Sequence, residues 1–557
     1  MAWLTKWEPE NPQFWNSGGS GIAWRTLAIT TFSLIFSFAT WFTMSAIVVR
    51  LPNIGFKFTT GQLFWLAAIP GLASGMFRTV HSFLIPIFGT RITVSIATII
   101  KVVPCIGIAI GVMNPNTPFW FFMIFAFLTG FGGGDFSSFM PSTSLFFPKR
   151  LQGAAMGIQA GIGNFGVGLA QFTVPWIIGF AALGTLGGAP QLFTKGDVMK
   201  DTIALTKEAG VATDVVVKKP ELAPAIVVTK DGNVVRDVVL QETDTIKAIK
   251  EDVTRDASGK ITAVKKTDGY KVEVTKNAEG AVTDVQVKKV VKKAIWVQNG
   301  MLWYVPVLVV TFIFCIILLR SIPVRASIKE QFDIVYDKHG WFTTITYIMT
   351  FGSFAGFSAA FPLMIKMLYG GFPGAPDPLK FAFYGPMIGG AVRVIFGVPS
   401  DKIGGSILVQ IGGAAQILGC IFLIVTGALT PSSVDKFPLF LGGMLWLFFW
   451  TGVGNAATFR QYPIIFAYSA RKGAQALGWT GAWAAYGPFI FAILIGLSIT
   501  KTGSPVTFFV GAIIFYAIAS IINWWYYTRP GAERGDWGNM WGTWWDKAKD
   551  TWVPGSK

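Results

Sequence analysis

The feature that most constrains this chain is a series of apolar stretches, almost free of charge, each long enough to cross a bilayer. Trp24 to Val49 and Met301 to Leu319 are two of them. A helix rises about 1.5 Å per residue, so roughly 20 residues cross a hydrocarbon core of about 30 Å. In lipid the backbone must satisfy its own hydrogen bonds, which selects helices. Composition agrees: 52 % of residues are hydrophobic and 13 % charged, against about 25 % charged in soluble domains.

Hydropathy predicts an all-α membrane protein with twelve transmembrane helices in two six-helix halves. The spans fall near 24–49, 62–88, 92–113, 118–146, 152–186, 300–320, 341–368, 380–400, 405–430, 437–467, 476–500 and 504–528. With both termini cytoplasmic, the inner connectors hold Arg91, Lys149, Arg150, Arg320, Arg325, Lys329, Lys402, Arg471 and Lys472. The short outer connectors hold little beyond Lys57, Lys380, Lys436 and Lys501, so the bias is positive-inside. That bias accounts for the net charge of +17 without nucleic acid, since no Lys/Arg run is interleaved with aromatics. Cys105, Cys315 and Cys420 lie in apolar stretches without paired spacing, which supports neither a disulfide framework nor a zinc site. Residues 1–20 are polar and Trp-bearing, and the first apolar run is too long for a cleaved signal.

Residues 187–298 break the pattern. Alternating segments, Tyr270–Thr275 and Val282–Val287 among them, lie between Asp231-Gly232, Ser258-Gly259, Asp268-Gly269 and Glu279-Gly280, which reads as β-hairpins with tight turns. The stretch carries 19 Lys/Arg against 16 Asp/Glu, so it explains little of the net charge. The expected organisation is an N-terminal half with helices 1–5 (1–186) and a β-rich periplasmic insertion between helices 5 and 6 (187–298). Helix 6 with the inter-half cytoplasmic loop (299–335), a C-terminal half with helices 7–12 (336–530) and a Trp-rich cytoplasmic tail (531–557) complete it. The insertion reads as a solvated domain or a surface for an unknown periplasmic partner. Trp537, Trp541, Trp544, Trp545 and Trp552 recur at helical spacing, as in a helix lying in the membrane interface.

The halves echo each other. Thr129-Gly130-Phe131-Gly132 matches Thr451-Gly452-Val453-Gly454, Pro141 matches Pro463, and Lys149-Arg150 matches Arg471-Lys472, all at an offset of 322 residues. Duplicated halves place a substrate path between them, near the midplane. Arg78 in helix 2 and Arg393 in helix 8 sit several residues inside their spans, at corresponding places in the two halves. Intramembrane charge is expensive and marks function by default. Two planar, permanently charged guanidinium forks suit an oxyanion. Glycines crowd helices 4 and 5, from Gly130 to Gly134 and from Gly153 to Gly168, and small residues let membrane helices approach closely. Gly161-Ile-Gly-Asn-Phe-Gly166 fits G-x-G-x-x-G but follows no strand, which excludes a dinucleotide fold.

Gly132-Gly-Gly-Asp-Phe-Ser-Ser-Phe-Met-Pro141, Phe147-Pro-Lys149, Gly153-Ala-Ala-Met-Gly157-Ile-Gln-Ala-Gly-Ile-Gly-Asn164 and Tyr347-Ile-Met-Thr-Phe351 resemble the signature segments of the nitrate/nitrite porter family of the major facilitator superfamily. The resemblance covers the chain outside 187–298. It implies the major facilitator fold in a bacterial inner membrane and nitrate/nitrite transport without a cofactor or metal. It also implies that Arg78 and Arg393 clamp the anion, that Asn164 and Tyr347 hydrogen-bond it, and that Phe136 and Phe351 wall its two faces. A flat anion suits donors in its plane and apolar faces across it. Asp135 stands where the family commonly has Asn, and helix 11 (Gly478 to Gly487) lacks an Asn found in some members. Asp401 and Lys402 resemble the superfamily's cytoplasmic gating motif.

Two fixed cations around one monovalent anion favour nitrate/nitrite exchange, because the empty site repels itself. Proton-coupled nitrate import, with Asp135 and His81 as titrating groups, is the mechanistic rival. A porter of another small anion such as a monocarboxylate also fits the two arginines, and a membrane sensor reading a ligand through 187–298 fits the insertion. No nucleophile–base arrangement or metal cluster points to an enzyme.

Overall fold

A computed structural model describes residues 3–199, 201–257, 259, 261–322 and 333–538. The chain is mostly helical. Its long helices are α1 (Pro12–Ile54), α2 (Thr60–Ser82), α3 (Ile87–Val112), α4 (Phe119–Phe146) and α5 (Lys149–Ile177), then α6 (Asn299–Leu318) and α7 (Lys338–Tyr369). After them come α8 (Pro378–Ile395, continued by Gly397–Ile403), α9 (Gly405–Val425), α10 (Val434–Ile465), α11 (Gln475–Thr502) and α12 (Val506–Thr528).

Among the described residues, ten helices are long and apolar enough to span a membrane, and eleven if the two parts of α8, bent by 52°, make one span. The helix α5 is not among them. Its 29 residues suffice in length, but Gln159, Asn164 and Gln171 lower its hydropathy; all three are buried inside the bundle. The expected twelve is thus ten or eleven by composition. The predicted fifth span also ends early: its helix stops at Ile177 and gives way to turns. The tail tryptophans from Trp541 onward, together with Arg325 and Lys329, lie outside the described residues.

The helices of the two expected halves meet along α2–α11, α5–α8 and α1–α7. When each helix is matched to the one six later, the α2–α11 contact maps onto α8–α5, as a duplicated fold requires. Backbone reaches backbone where glycine permits. A Cβ on Gly132 of α4 would lie 2.0 Å from the Ser37 carbonyl oxygen, and one on Gly166 of α5 would lie 2.0 Å from that of Ile35. Both glycines seat their helices directly on α1, and neither could be alanine without moving it.

Between α5 and α6 the described residues form nine strands. The strands β1 (Gln191–Val198), β9 (Val282–Ile295) and β8 (Thr267–Lys276) make one antiparallel sheet in the order β1-β9-β8. The strands β2 (Ile203–Glu208), β3 (Val211–Val217), β4 (Ile226–Asp231), β5 (Val234–Leu240), β6 (Val253–Arg255) and β7 (Ile261–Val264) pair as three hairpins, over a small core holding Leu222, Val235 and Val285. Gly232, Gly259 and Gly280 turn with positive φ. The turn expected at Asp268-Gly269 is absent: both residues lie inside β8. Gly269 serves close approach, since a Cβ there would lie 2.8 Å from the Ile249 Cα. The hairpin β2–β3 turns instead at Ala209-Gly210.

Candidate functional site

The site forms where α2, α4, α7, α8 and α10 converge. Arg78 is fully buried in α2 and Arg393 is 5 % exposed in α8. Arg78 is fixed by two backbone carbonyls: Nε donates to Gly133 at 2.8 Å and Nη1 to Gly481 at 2.6 Å. Its guanidinium carbon lies 4.8 Å from the centre of the Phe136 ring and 5.0 Å from that of Phe351. Those two rings are near parallel, 6.4 Å apart and inclined by 19°. Tyr347 stacks on Phe351 at 5.5 Å, just before the chain widens into a π-helical turn at Ile348–Gly352.

Arg393 faces the ring of Phe459 on α10 at 4.5 Å, and Phe459 meets Phe136 edge-on at 6.3 Å. Tyr347 lies within electrostatic reach of both arginines, yet no hydrogen bond of ordinary length joins its hydroxyl to either. Asn164 is buried in α5 beside Gly390, one turn before Arg393 on α8. Among the described residues, Arg78 Nη2, both terminal nitrogens of Arg393, the Tyr347 hydroxyl and both amide atoms of Asn164 have no hydrogen-bond partner. Buried polar groups without partners are costly and uncommon. A cluster of donors between aromatic faces can receive a small flat oxyanion.

Asp135 precedes Phe136 and is paired with other residues than the arginines. Its Oδ2 accepts from Lys101 Nζ at 2.5 Å and from Ser37 Oγ at 2.5 Å. His81 Nδ1 lies 3.8 Å from Oδ1 and is hydrogen-bonded to Ser138 Oγ at 2.9 Å. Sequence reasoning missed Lys101, although the argument that singled out Arg78 applies equally to a lysine in the apolar run Ile99-Ile-Lys-Val-Val103. It also missed Phe459. Among 49 phenylalanines no spacing marks that one.

Asp401 is exposed and is paired outside this cluster. Its Oδ1 accepts from Arg460 Nη1 at 3.0 Å, and Arg460 Nε reaches Asp536 at 3.2 Å. Lys402 contributes its carbonyl, against which Gly538 packs too closely for any side chain. Asp536, fully buried, also accepts from the Gly405 amide at 2.8 Å. Burial pushes its carboxyl up to about 6, even though Arg460 and these backbone donors favour the charged form.

The chain is 42 % identical to a Thermus thermophilus protein named "Probable nitrate/nitrite antiporter NarK2", over 96 % of this chain and 98 % of that one. It is 30 % identical to "Nitrate/nitrite transporter NarU" of Escherichia coli strain K12, over 94 % of this chain and 96 % of that one. No family model matches. Among solved structures it resembles a D-xylose–proton symporter, with a TM-score of 0.51 and 13 % identity over 90 % of this chain and 97 % of that one. A bacterial homologue of the human lysosomal transporter Spinster, inward-facing and occupied, gives a TM-score of 0.51 at 11 % identity, over 90 % of this chain and 96 % of that one. At such identities the likeness is one of fold.

Proposed function

The chain belongs to the nitrate/nitrite transporter family, and on that premise we propose that it moves nitrate and nitrite by alternating access, exchanging one for the other. The observation that carries this reading is the set of unpartnered donors on Arg78, Arg393 and Tyr347 around the stacked rings of Phe136 and Phe351, with unpartnered Asn164 buried on α5 beside Gly390. Nitrate accepts hydrogen bonds in its plane and presents bare faces above and below, so the donors suit its edge and the rings its faces. A tetrahedral anion has no flat face to lay against a ring.

Charge supports exchange over proton coupling. Asp135 is balanced by Lys101, so the buried charge left at the site is that of two arginines. One bound monovalent anion halves it, and repulsion in a low dielectric then relaxes. The loaded carrier closes and turns over; the empty one resists. Asp135 and His81 serve in this reading as a structural group under Phe136 and not as the proton path.

The same reading gives twelve spanning helices, with α5 and the bent α8 counted, in a bacterial inner membrane with both termini cytoplasmic. Residues 187–298 then face the periplasm, and Asp401 and Lys402 face the cytoplasm at a gating contact. The halves comprise 1–186 with 299–335, and 336–530.

Uptake of labelled nitrate into proteoliposomes tests the proposal. Uptake into nitrite-loaded vesicles, absent from empty ones and indifferent to a proton gradient, is the expected result. Gradient-driven uptake into empty vesicles overturns exchange in favour of symport. Competition by acetate or formate as strong as that by nitrite overturns the anion assignment.

A further inference from the structure

We infer that Arg50 and Asp377 form the gate at the end of the bundle that carries residues 187–298, and that Phe193 of β1 is the positioning residue that holds it shut. Arg50 ends the α-helical part of α1, before its last turn at Leu51–Ile54, in the first half; Asp377 caps the start of α8 in the second. Arg50 Nη2 donates to both carboxylate oxygens of Asp377, at 2.9 and 2.8 Å. The two side chains are only 11 % and 25 % exposed. A second link runs beside it: Lys366 of α7 donates to the Val49 carbonyl and, at 3.2 Å, to Asn53 Oδ1. Both links join opposite halves at one end, so each one adds to the free energy of opening that end.

The strand β1 fastens the first-half partners of both links. The Asn53 amide donates to the Thr194 carbonyl at 3.0 Å. The guanidinium of Arg50 lies over the Phe193 ring at 5.4 Å, and the same ring receives Lys293 Nζ at 5.4 Å. Phe193 is buried, 6 % exposed, and pairs in register with Lys293 on β9.

The β1–β9 ladder is rooted in the first half through both of its strands, at the end where Gln191 pairs with Ile295. β1 begins shortly after α5, where Gln191 Nε2 bonds Gln298 at 2.7 Å. β9 runs into α6, with the Trp296 amide bonded to the Ile178 carbonyl at 2.8 Å. The ladder therefore moves with the first half. It presents Arg50 to Asp377 in one geometry, whereas a free arginine would lose that alignment to rotamer entropy. This gives one strand of 187–298 a task in the transport cycle.

The distance between Lys57→Cys and Lys380→Cys, spin-labelled in the full-length protein, tests this. These exposed positions belong to opposite halves at this end, and Cys105, Cys315 and Cys420 are buried. No anion is added, so the outcome does not depend on which anion is carried. Arg50→Gln is expected to raise the long-distance, open population on the order of tenfold. Phe193→Leu keeps an apolar body and loses the π face; it is expected to raise that population about two- to fivefold, with Phe193→Tyr restoring the original distribution. Adding Phe193→Leu to Arg50→Gln is expected to change nothing further. An unchanged distribution in Arg50→Gln overturns the gate. Opening in Arg50→Gln with none in Phe193→Leu, or additive effects in the double variant, overturns the positioning role.

Discussion

Arg78 Nη1 donates to the carbonyl oxygen of Gly481 at 2.6 Å, a hydrogen bond that crosses from α2 in one half to α11 in the other. The arginine proposed to hold the anion is thus also a tie between the helix groups that the proposed exchange would move. A Cβ on Gly481 would stand 3.4 Å from Nη1 and 3.8 Å from the Phe136 ring, ordinary contact distances. Gly481→Ala keeps the carbonyl and is expected to change exchange less than threefold, by the scale of a small packing change. Arg78→Lys loses the fork and is expected to lower nitrate kcat/KM by about 10- to 100-fold. Counterflow rates of the two variants, compared at equal reconstitution, check the pair.

Lys101 and Asp135 should behave as a unit. Lys101→Met leaves a carboxylate buried without its counter-charge, which costs about 3–5 kcal/mol. Asp135→Asn together with Lys101→Met removes both charges and is expected to recover most of that stability. Thermal unfolding in detergent of the two single variants and the double variant checks the coupling. Additive losses would show that the pair does not act together.

Among the described residues the Tyr347 hydroxyl makes no hydrogen bond of ordinary length, so its removal should spare stability. Tyr347→Phe is expected to leave the melting temperature within about 2 °C while raising KM for nitrate roughly tenfold. A matching fall in melting temperature would assign the hydroxyl to folding instead.

Asp536 sets a pH dependence with an unusual sign for a carboxylate. Its folded value is raised to about 6 by burial, above the unfolded reference of about 3.9. The folded state therefore holds the proton more tightly than the unfolded one. Stability from this group is greatest below the unfolded value and falls as pH rises through the folded one, by roughly 3 kcal/mol in all. Asp337 and Glu533 are held below their ordinary range, although burial alone would raise both: Tyr468, the His339 amide and Arg534 outweigh it at the first, Lys338 and His339 at the second. They act in the opposite direction. The difference in melting temperature between Asp536→Asn and the parent isolates Asp536; it is expected to shift in favour of Asn from pH 4 to about pH 6.5 and then level off.

Much of this protein was written into the sequence because lipid reads hydropathy locally. The apolar runs marked the helices, the offset repeat pointed to two corresponding halves, and Arg78 and Arg393 stood out because charge inside a span needs a reason. Turns at Gly232, Gly259 and Gly280 were legible too, since each requires positive φ within a few residues. Gly269 was misread for the complementary reason. A glycine required by a neighbouring backbone looks, in sequence, like a glycine required by a turn; only the approach of Ile249 separates the two. Lys101 with Asp135, Arg393 with Phe459, Arg78 with Gly481 and Arg50 with Asp377 are likewise pairings between distant elements. A residue's solvation cost is a local quantity and shows in the chain, but the partner that offsets it is chosen by packing and appears only when the helices come together.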